Sequence, residues 1–151
     1  MNICIDMIKE KDTQTVDKLS EIERQAFGEA GLNEWTIVPL IRHGRVFALR
    51  ENGEVIGGAQ FIRDWETPSR AYLVGIAVHK SHRGKGLGTR FLEECLDMLR
   101  KEGVSSVELT VDSANGPAAH VYQQKLGFVI VEEREDEYGA GENRLVMVRV
   151  Q

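Results

Sequence analysis

Proline is scarce, 3 in 151 residues, and cysteine is scarcer, with only Cys4 and Cys95. Two cysteines without CxxC or Cys/His spacing argue against a disulfide framework and a zinc site, and fit a reducing cytoplasm. No pair of the four histidines has a metal-ligand spacing either, so no metal is expected. No apolar run approaches the roughly 20 residues that a membrane span needs. The first ten residues carry Asp6 and Glu10 and no apolar stretch, so no secretory leader is legible. Positive charge is not in excess. The 19 Lys+Arg against 24 Asp+Glu leave a formal net charge of -5, which argues against non-specific nucleic-acid binding. Repeats, low-complexity tracts and an internal linker are missing too. A chain of this length is expected to form a single domain over 1–151. It should bury roughly 70% of its unfolded surface, with no need of a stabilising metal.

The hydrophobic pattern lays out the elements. Residues 2–9 alternate apolar at Ile3, Ile5 and Met7, as a strand does. Val16, Leu19, Ile22, Ala26 and Phe27 recur at helical spacing over 12–28, and Gly28 follows. Asn33 is placed to cap a second helix that carries Trp35, Val38 and Ile41 and ends at Gly44, short or kinked because of Pro39. Strands are expected at 45–51 and about 54–64, joined by Asn52-Gly53, a hairpin signal because a type I′ turn needs positive φ at both positions. The nearly unbroken apolar run Ala71 to Val78 predicts a central strand buried on both faces within 70–79. A helix with Leu87, Phe91, Leu92, Cys95, Met98 and Leu99 on its apolar side ends at Gly103. A strand at 104–111, a helix from Asn115 to Gly127, and strands at 127–134 and 144–150 complete the chain. The order β-α-α-β-β-β-α-β-α-β-β predicts a mixed α/β fold, with a mostly antiparallel central sheet flanked by helices.

Between the buried strand and the amphipathic helix lies Arg83-Gly84-Lys85-Gly86-Leu87-Gly88. Glycines let backbone amides approach a ligand, and a helix N-terminus offers free N–H groups and a positive dipole end, so the loop suits a phosphate or pyrophosphate. It is not a Walker loop: Lys85 precedes Gly86, and Gly88 precedes Thr89. A dinucleotide fingerprint would want glycine where Thr89 stands. A coenzyme A cradle and a ligand-free glycine-rich connection are the two readings left open by the loop alone.

Downstream comes Asn115-Gly-Pro-Ala118-Ala-His-Val-Tyr122-Gln-Gln-Lys-Leu-Gly127-Phe128. Here the sequence resembles the GNAT family, the acyl-CoA-dependent N-acyltransferases. The family's [QR]-x-x-G-x-[GA] after its fourth strand is matched by Arg83, Gly86 and Gly88. Its N-x-x-A-x-x-x-Y-x-x-x-G-F is matched by Asn115, Ala118, Tyr122, Gly127 and Phe128. The motif match covers residues 70–130, and the element order extends it to nearly the whole chain.

The resemblance implies direct transfer of an acetyl group from the co-substrate acetyl-CoA to a primary amine. It assigns the pyrophosphate to Arg83, Gly84, Lys85, Gly86, Leu87, Gly88 and Thr89, and the pantetheine arm and thioester carbonyl to the backbone of Ile76, Ala77 and Val78. Asn115 and Ala118 belong to the same coenzyme site, Asn115 also being a natural helix cap. Tyr122 is the expected proton donor to the leaving sulfur, since a phenol with a reference pKa of about 10 stays protonated at neutral pH. A packing role on its helix is the plain alternative.

The general base is the gap. Relatives carry a glutamate near the position of Val74 or of Thr110, and neither residue takes a proton. Glu34, Asp64, Glu66, Asp112 and His120 remain as candidates, each with an ordinary structural reading, or else a water relay. His79 and His82 are expected near phosphates or solvent, and His43 at a helix end. Cys95 reads as inert core. The run from Glu132 to Glu137 is a solvated strand end or a negative rim that attracts a cationic amine. Trp35 is either core or part of an acceptor pocket. The expectation is an N-acetyltransferase of small-molecule amines. A protein or peptide N-acetyltransferase and a non-catalytic acyl-CoA-binding module are the alternatives. No nucleic-acid or membrane partner is expected, and a homodimer through the C-terminal strands is conceivable.

Overall fold

A computed structural model describes residues 2–10 and 12–151. The elements follow in the expected order: β1 (Ile3–Met7), α1 (Thr13–Phe27), α2 (Glu34–His43), β2 (Arg45–Glu51), β3 (Glu54–Arg63), β4 (Arg70–Val78), α3 (Leu87–Lys101), β5 (Ser106–Asp112), α4 (Gly116–Leu126), β6 (Val129–Arg134) and β7 (Arg144–Val150). Short 3-10 turns at Gly28–Ala30 and Lys80–His82 follow α1 and β4.

Local chemistry explains most boundaries. Asp12 opens α1 by accepting from the Gln14 amide, and Asn33 opens α2 by accepting from the Trp35 amide. Pro39 sits inside α2, which lasts ten residues and stops at Gly44. Asn52 and Gly53 both have positive φ, 51° and 84°, as the tight β2–β3 hairpin requires.

The seven strands form one sheet in the order β1-β2-β3-β4-β5-β7-β6. Only β4 and β5 pair in parallel. One face packs on α3 and α4, through Phe91, Leu92, Cys95, Leu96 and Leu99 of α3 against Ala71, Leu73, Leu109 and Met147 of the sheet. The other face of β2–β4 packs on α1 and α2, through Val16, Leu19, Ile22, Ile37 and Ile41 against Val46, Ala48, Val55 and Ala77. Fully buried Phe91 contributes on the order of 1.5–3 kcal/mol relative to an exposed ring.

The central strand departs from the expected burial on both faces. β4 is the middle strand, yet Val74, Gly75, Ile76 and Val78 are only half-buried. The reason is a split in the sheet. β5 pairs with β4 only at Arg70↔Ser106, Ala71↔Val107 and Tyr72↔Glu108. Antiparallel pairing with β3 runs on to Val78. A bulge coincides with the split: Gln60 opposes Gly75 and Phe61 opposes Leu73, so Val74 is the extra residue.

Candidate active site

The split leaves one backbone edge of β4 open. The His79 amide donates to the Ile56 carbonyl at 2.7 Å. By antiparallel alternation, Ala77 and Gly75 then direct their backbone groups at β3, while Ile76 and Val78 direct theirs into the gap. The Val78 carbonyl accepts from Arg83 Nε at 3.0 Å. The open edge is a place where an extended amide-bearing ligand can pair as an added strand.

The gap continues into the glycine loop. Gly84 and Gly86 have φ of 79° and 75°. A Cβ on Gly86 would meet no protein atom within 4 Å, so the backbone conformation, not crowding, calls for glycine there. Gly86 precedes α3 with no side-chain cap. The first bond of that helix runs from the Arg90 amide to the Gly86 carbonyl, so the Leu87, Gly88 and Thr89 amides lack partners within the helix. No acidic residue lies in its first turn. Free amides, a positive dipole end, and Arg83 and Lys85 alongside make an anion cradle.

Two adjoining clefts follow this path. One of about 280 Å³ is lined by Ile76, Ala77, Val78, Gly88, Thr89, Leu92, Ala118, Val121, Tyr122 and Leu126. The other, about 470 Å³, shares Ile76–Val78, Gly88 and Thr89 and adds Ala26, Phe27, His82, Arg83, Gly84, Gly86 and Leu87. The expected site residues therefore converge, apart from Lys85 and Asn115, which line neither cleft. Asn115 caps α4, its Oδ1 accepting from the Ala118 amide at 3.2 Å.

Tyr122 packs edge-on against Phe128 with ring centroids 5.8 Å apart. Burial raises its phenol above the ordinary value, with Arg144 pulling it down. Among the described residues its hydroxyl has no hydrogen-bond partner, so the proton is free to be donated.

None of the five candidate bases lines either cleft. Glu34 is exposed in the first turn of α2, and His120 is exposed on α4. Asp64 accepts from the Glu66 and Thr67 amides, which lower its pKa, and this turn also holds Glu66. Asp112 accepts from the Ala114 amide. His43 ends α2. His79 Nδ1 and His82 Nδ1 flank Ser81 Oγ at 2.7 and 2.9 Å, and His82 Nε2 lies 3.3 Å from Glu51. Cys95 is fully buried, and burial pushes its thiol up, as inert core requires. Trp35 is not core: it is 82% exposed, and it lines a separate groove of about 300 Å³ between α1 and α2 with Thr13, Val16, Asp17, Glu34 and Val38. The acidic run is drawn onto Arg134, which reaches Glu132 at 2.9 Å and Glu137 at 3.2 Å.

Three residues passed over in the sequence meet at the mouth of the split. The Tyr72 hydroxyl lies 3.3 Å from Thr110 Oγ1 and 3.2 Å from the Tyr138 hydroxyl. Arg144 donates from Nε to Thr110 Oγ1 at 3.1 Å and from Nη2 to the Thr110 carbonyl at 2.9 Å. Its guanidinium carbon lies 5.2 Å from the centre of the Tyr138 ring. No local spacing marks them, since they come from β4, the β6–β7 loop and β7.

An open β4 edge, an uncapped α3 and a half-buried tyrosine on α4 are arranged on one fold, and that fold has relatives. Residues 13–128 match the acetyltransferase (GNAT) family, and the chain belongs to it. It is 35% identical over 88 residues to the L-amino acid N-acyltransferase MnaT of Escherichia coli (strain K12), covering 56% of this chain and 50% of that protein. It is 33% identical over 98 residues to the [ribosomal protein bS18]-alanine N-acetyltransferase of the same organism, covering 65% of this chain and 64% of that one. The match thus spans about half the length of the first relative and under two thirds of the second. The crystal structure of the ribosomal-protein-S18-alanine N-acetyltransferase from Escherichia coli superposes with a TM-score of 0.79 at 26% identity, over 99% of this chain and 94% of that one. A Bacillus subtilis acetyltransferase solved in complex with CoA shares the fold, with a TM-score of 0.80 at 17% identity and 99% coverage of both chains.

Proposed function

We propose that this chain is an acetyl-CoA-dependent N-acetyltransferase that acts on a primary amine. The observation that carries the reading is the unpaired β4 edge running into the uncapped N-terminus of α3, with Tyr122 facing the same cleft. The family to which the chain belongs, and the CoA held by the Bacillus subtilis protein, support it.

The residues fit the coenzyme piece by piece. The open backbone groups of Ile76 and the Val78 amide suit the amides of a pantetheine arm, the Val78 carbonyl being held by Arg83. The Leu87, Gly88 and Thr89 amides, with Arg83, Gly84, Lys85 and Gly86, suit the pyrophosphate. Ala118 and Asn115 border the arm from α4. Bound acetyl-CoA supplies a thioester whose carbonyl carbon a neutral amine attacks directly. Backbone N–H groups of β4 stabilise the negative charge that develops on the carbonyl oxygen. Tyr122 gives its proton to the sulfur as the C–S bond breaks. The amine must itself shed a proton, since an alkylamine has a pKa of about 10. With no carboxylate lining the clefts, that proton leaves through water. The two free cysteines, Cys4 exposed and Cys95 buried, suit a reducing cytoplasm. No helix among the described residues is long and apolar enough to cross a membrane.

A peptide acceptor is the second reading, favoured by the likeness to the ribosomal-protein enzyme over 99% of the chain. A thiol-release assay with acetyl-CoA against amino acids, polyamines, aminoglycosides and short peptides tests both, with calorimetric acetyl-CoA titration alongside. Coenzyme binding with turnover on one acceptor class is the expected result. Absence of binding would overturn the coenzyme assignment.

A further inference from the structure

Arginines on the sheet face around β5 differ in what neutralises them. Arg70 lies 3.6 Å from Glu108, and Arg134 contacts Glu108, Glu132 and Glu137. Half-buried Arg144 has no carboxylate within 4.0 Å among the described residues. Its register partner Asp112 turns Oδ1 to the Ala114 amide. Nε and Nη2 serve Thr110, which leaves Nη1 without an acceptor among the described residues. A cation that is half desolvated and met only by hydroxyls, a carbonyl and a ring lacks its natural partner.

The surroundings describe what that partner would be. Glu108 and Thr110 alternate with Val107, Leu109 and Val111, which face α3 and α4, so Thr110 and Arg144 lie on the opposite face. With a coenzyme against α3 and α4, as the cleft beside Tyr122 would hold it, this opposite face would be left to the acceptor. The positive charge of Arg144 pulls down the phenol pKa of both Tyr122 and Tyr72, against the larger upward push of burial. The Tyr72 and Tyr138 hydroxyls bond each other, and both become donors beside the guanidinium once a ligand oxygen parts them.

We propose that Arg144, with the hydroxyls of Tyr72 and Tyr138, binds a carboxylate of the acceptor, so that the acceptor is a free amino acid rather than a simple amine or a peptide. This rests on the reading of the cleft as an acetyl-transfer site. The chain would bind the amine near Tyr122 and the carboxylate at Arg144, fixing the acceptor at two points.

The test compares each amino acid with its own carboxamide, the side chain unchanged, with kcat/KM corrected for the fraction of neutral amine because the carboxamide lowers the amine pKa. Wild-type protein should favour the carboxylate roughly ten- to hundredfold in kcat/KM, as loss of a charge-assisted hydrogen bond implies. Arg144→Gln should erase that preference through acceptor KM and leave acetyl-CoA KM alone, and Arg144→Lys should restore part of it. Arg144 also ties β7 to β5, so the wild-type comparison carries the test if the variants fold poorly. Calorimetric titration of N-acetylalanine against N-acetylalaninamide needs no turnover. Carboxylate-dependent binding that Arg144→Gln abolishes, in a protein inactive on every amine, would sink the transferase reading and uphold the carboxylate site. Turnover on amines or peptides with equal use of carboxylate and carboxamide would sink the carboxylate site alone.

Discussion

Three of the four α-helices open on a side-chain cap: Asp12 for α1, Asn33 for α2 and Asn115 for α4. The fourth, α3, opens on Gly86 with none. It is no weaker as a helix. It runs fifteen residues and buries Phe91, Leu92, Cys95, Leu96 and Leu99. The device that closes the other three is withheld at the N-terminus that follows β4 and its open edge. The same contrast recurs along β4, whose lower residues pair on both sides and whose upper residues pair only with β3. Where this fold leaves backbone groups unsatisfied, it leaves them side by side, and that is how a binding site differs from a flaw in folding.

The comparison can be broken most directly by giving α3 an acid at the missing cap. Gly86→Asp would place a carboxylate beside the free amides proposed to hold a phosphate. Acetyl-CoA affinity, read by calorimetry, should fall by about a hundredfold, as loss of charge-assisted contacts predicts. Stability should fall by about 1 kcal/mol, because a side chain is strained at the positive φ of Gly86 and cannot cap from there as an extended residue does. Unchanged affinity would remove the pyrophosphate from this loop.

Tyr122→Phe removes a proton donor and leaves the packing on Phe128. Turnover should fall by roughly a hundred- to ten-thousandfold with acetyl-CoA KM unchanged, given the usual worth of a positioned acid. The pH profile sharpens the point. Burial holds the Tyr122 phenol above the reference value of about 10, so its donor form persists through neutral and mildly alkaline pH. Any fall in kcat due to its ionisation should lie at higher pH than for a free phenol. Wild-type turnover in the variant would leave the sulfur to be protonated by water.

Asn115→Ala gives the smallest effect and separates capping from coenzyme contact. Loss of the bond to the Ala118 amide should cost about 1 kcal/mol of stability by denaturant titration. Coenzyme affinity should move less than twofold if the cap is the main role. A larger loss would give the Asn115 side chain a second partner in the cleft.

The sequence made the local chemistry legible. Asn33, Asn52-Gly53, Asn115 and Gly127 act over one turn, and the structure places caps and turns where those residues stand. The glycine loop and Tyr122 were legible for the same reason, as fixed spacings inside two helix-opening segments. The split was not, because it depends on where β5 stops following β4. The run Ala71 to Val78 looks the same whether or not a neighbour covers its edge. The Tyr72–Thr110–Tyr138–Arg144 group was hidden more deeply. Tyr72 and Tyr138 lie 66 residues apart, and only the strand order brings them within 3.2 Å. The emphasis on charge in the Glu132–Glu137 run drew attention from Tyr138 beside it.

The extra residue at Val74 gives β4 two different parities. Below it, odd-numbered Ala71 and Leu73 belong to the α3 side. Above it, even-numbered Ile76 and Val78 do, and odd-numbered Ala77 belongs to α1 and α2. A length change of one residue between Leu73 and Gly75 would therefore put the strand back in step with itself and exchange the surfaces of everything beyond it. Any redesign of this strand has to be counted separately from each end.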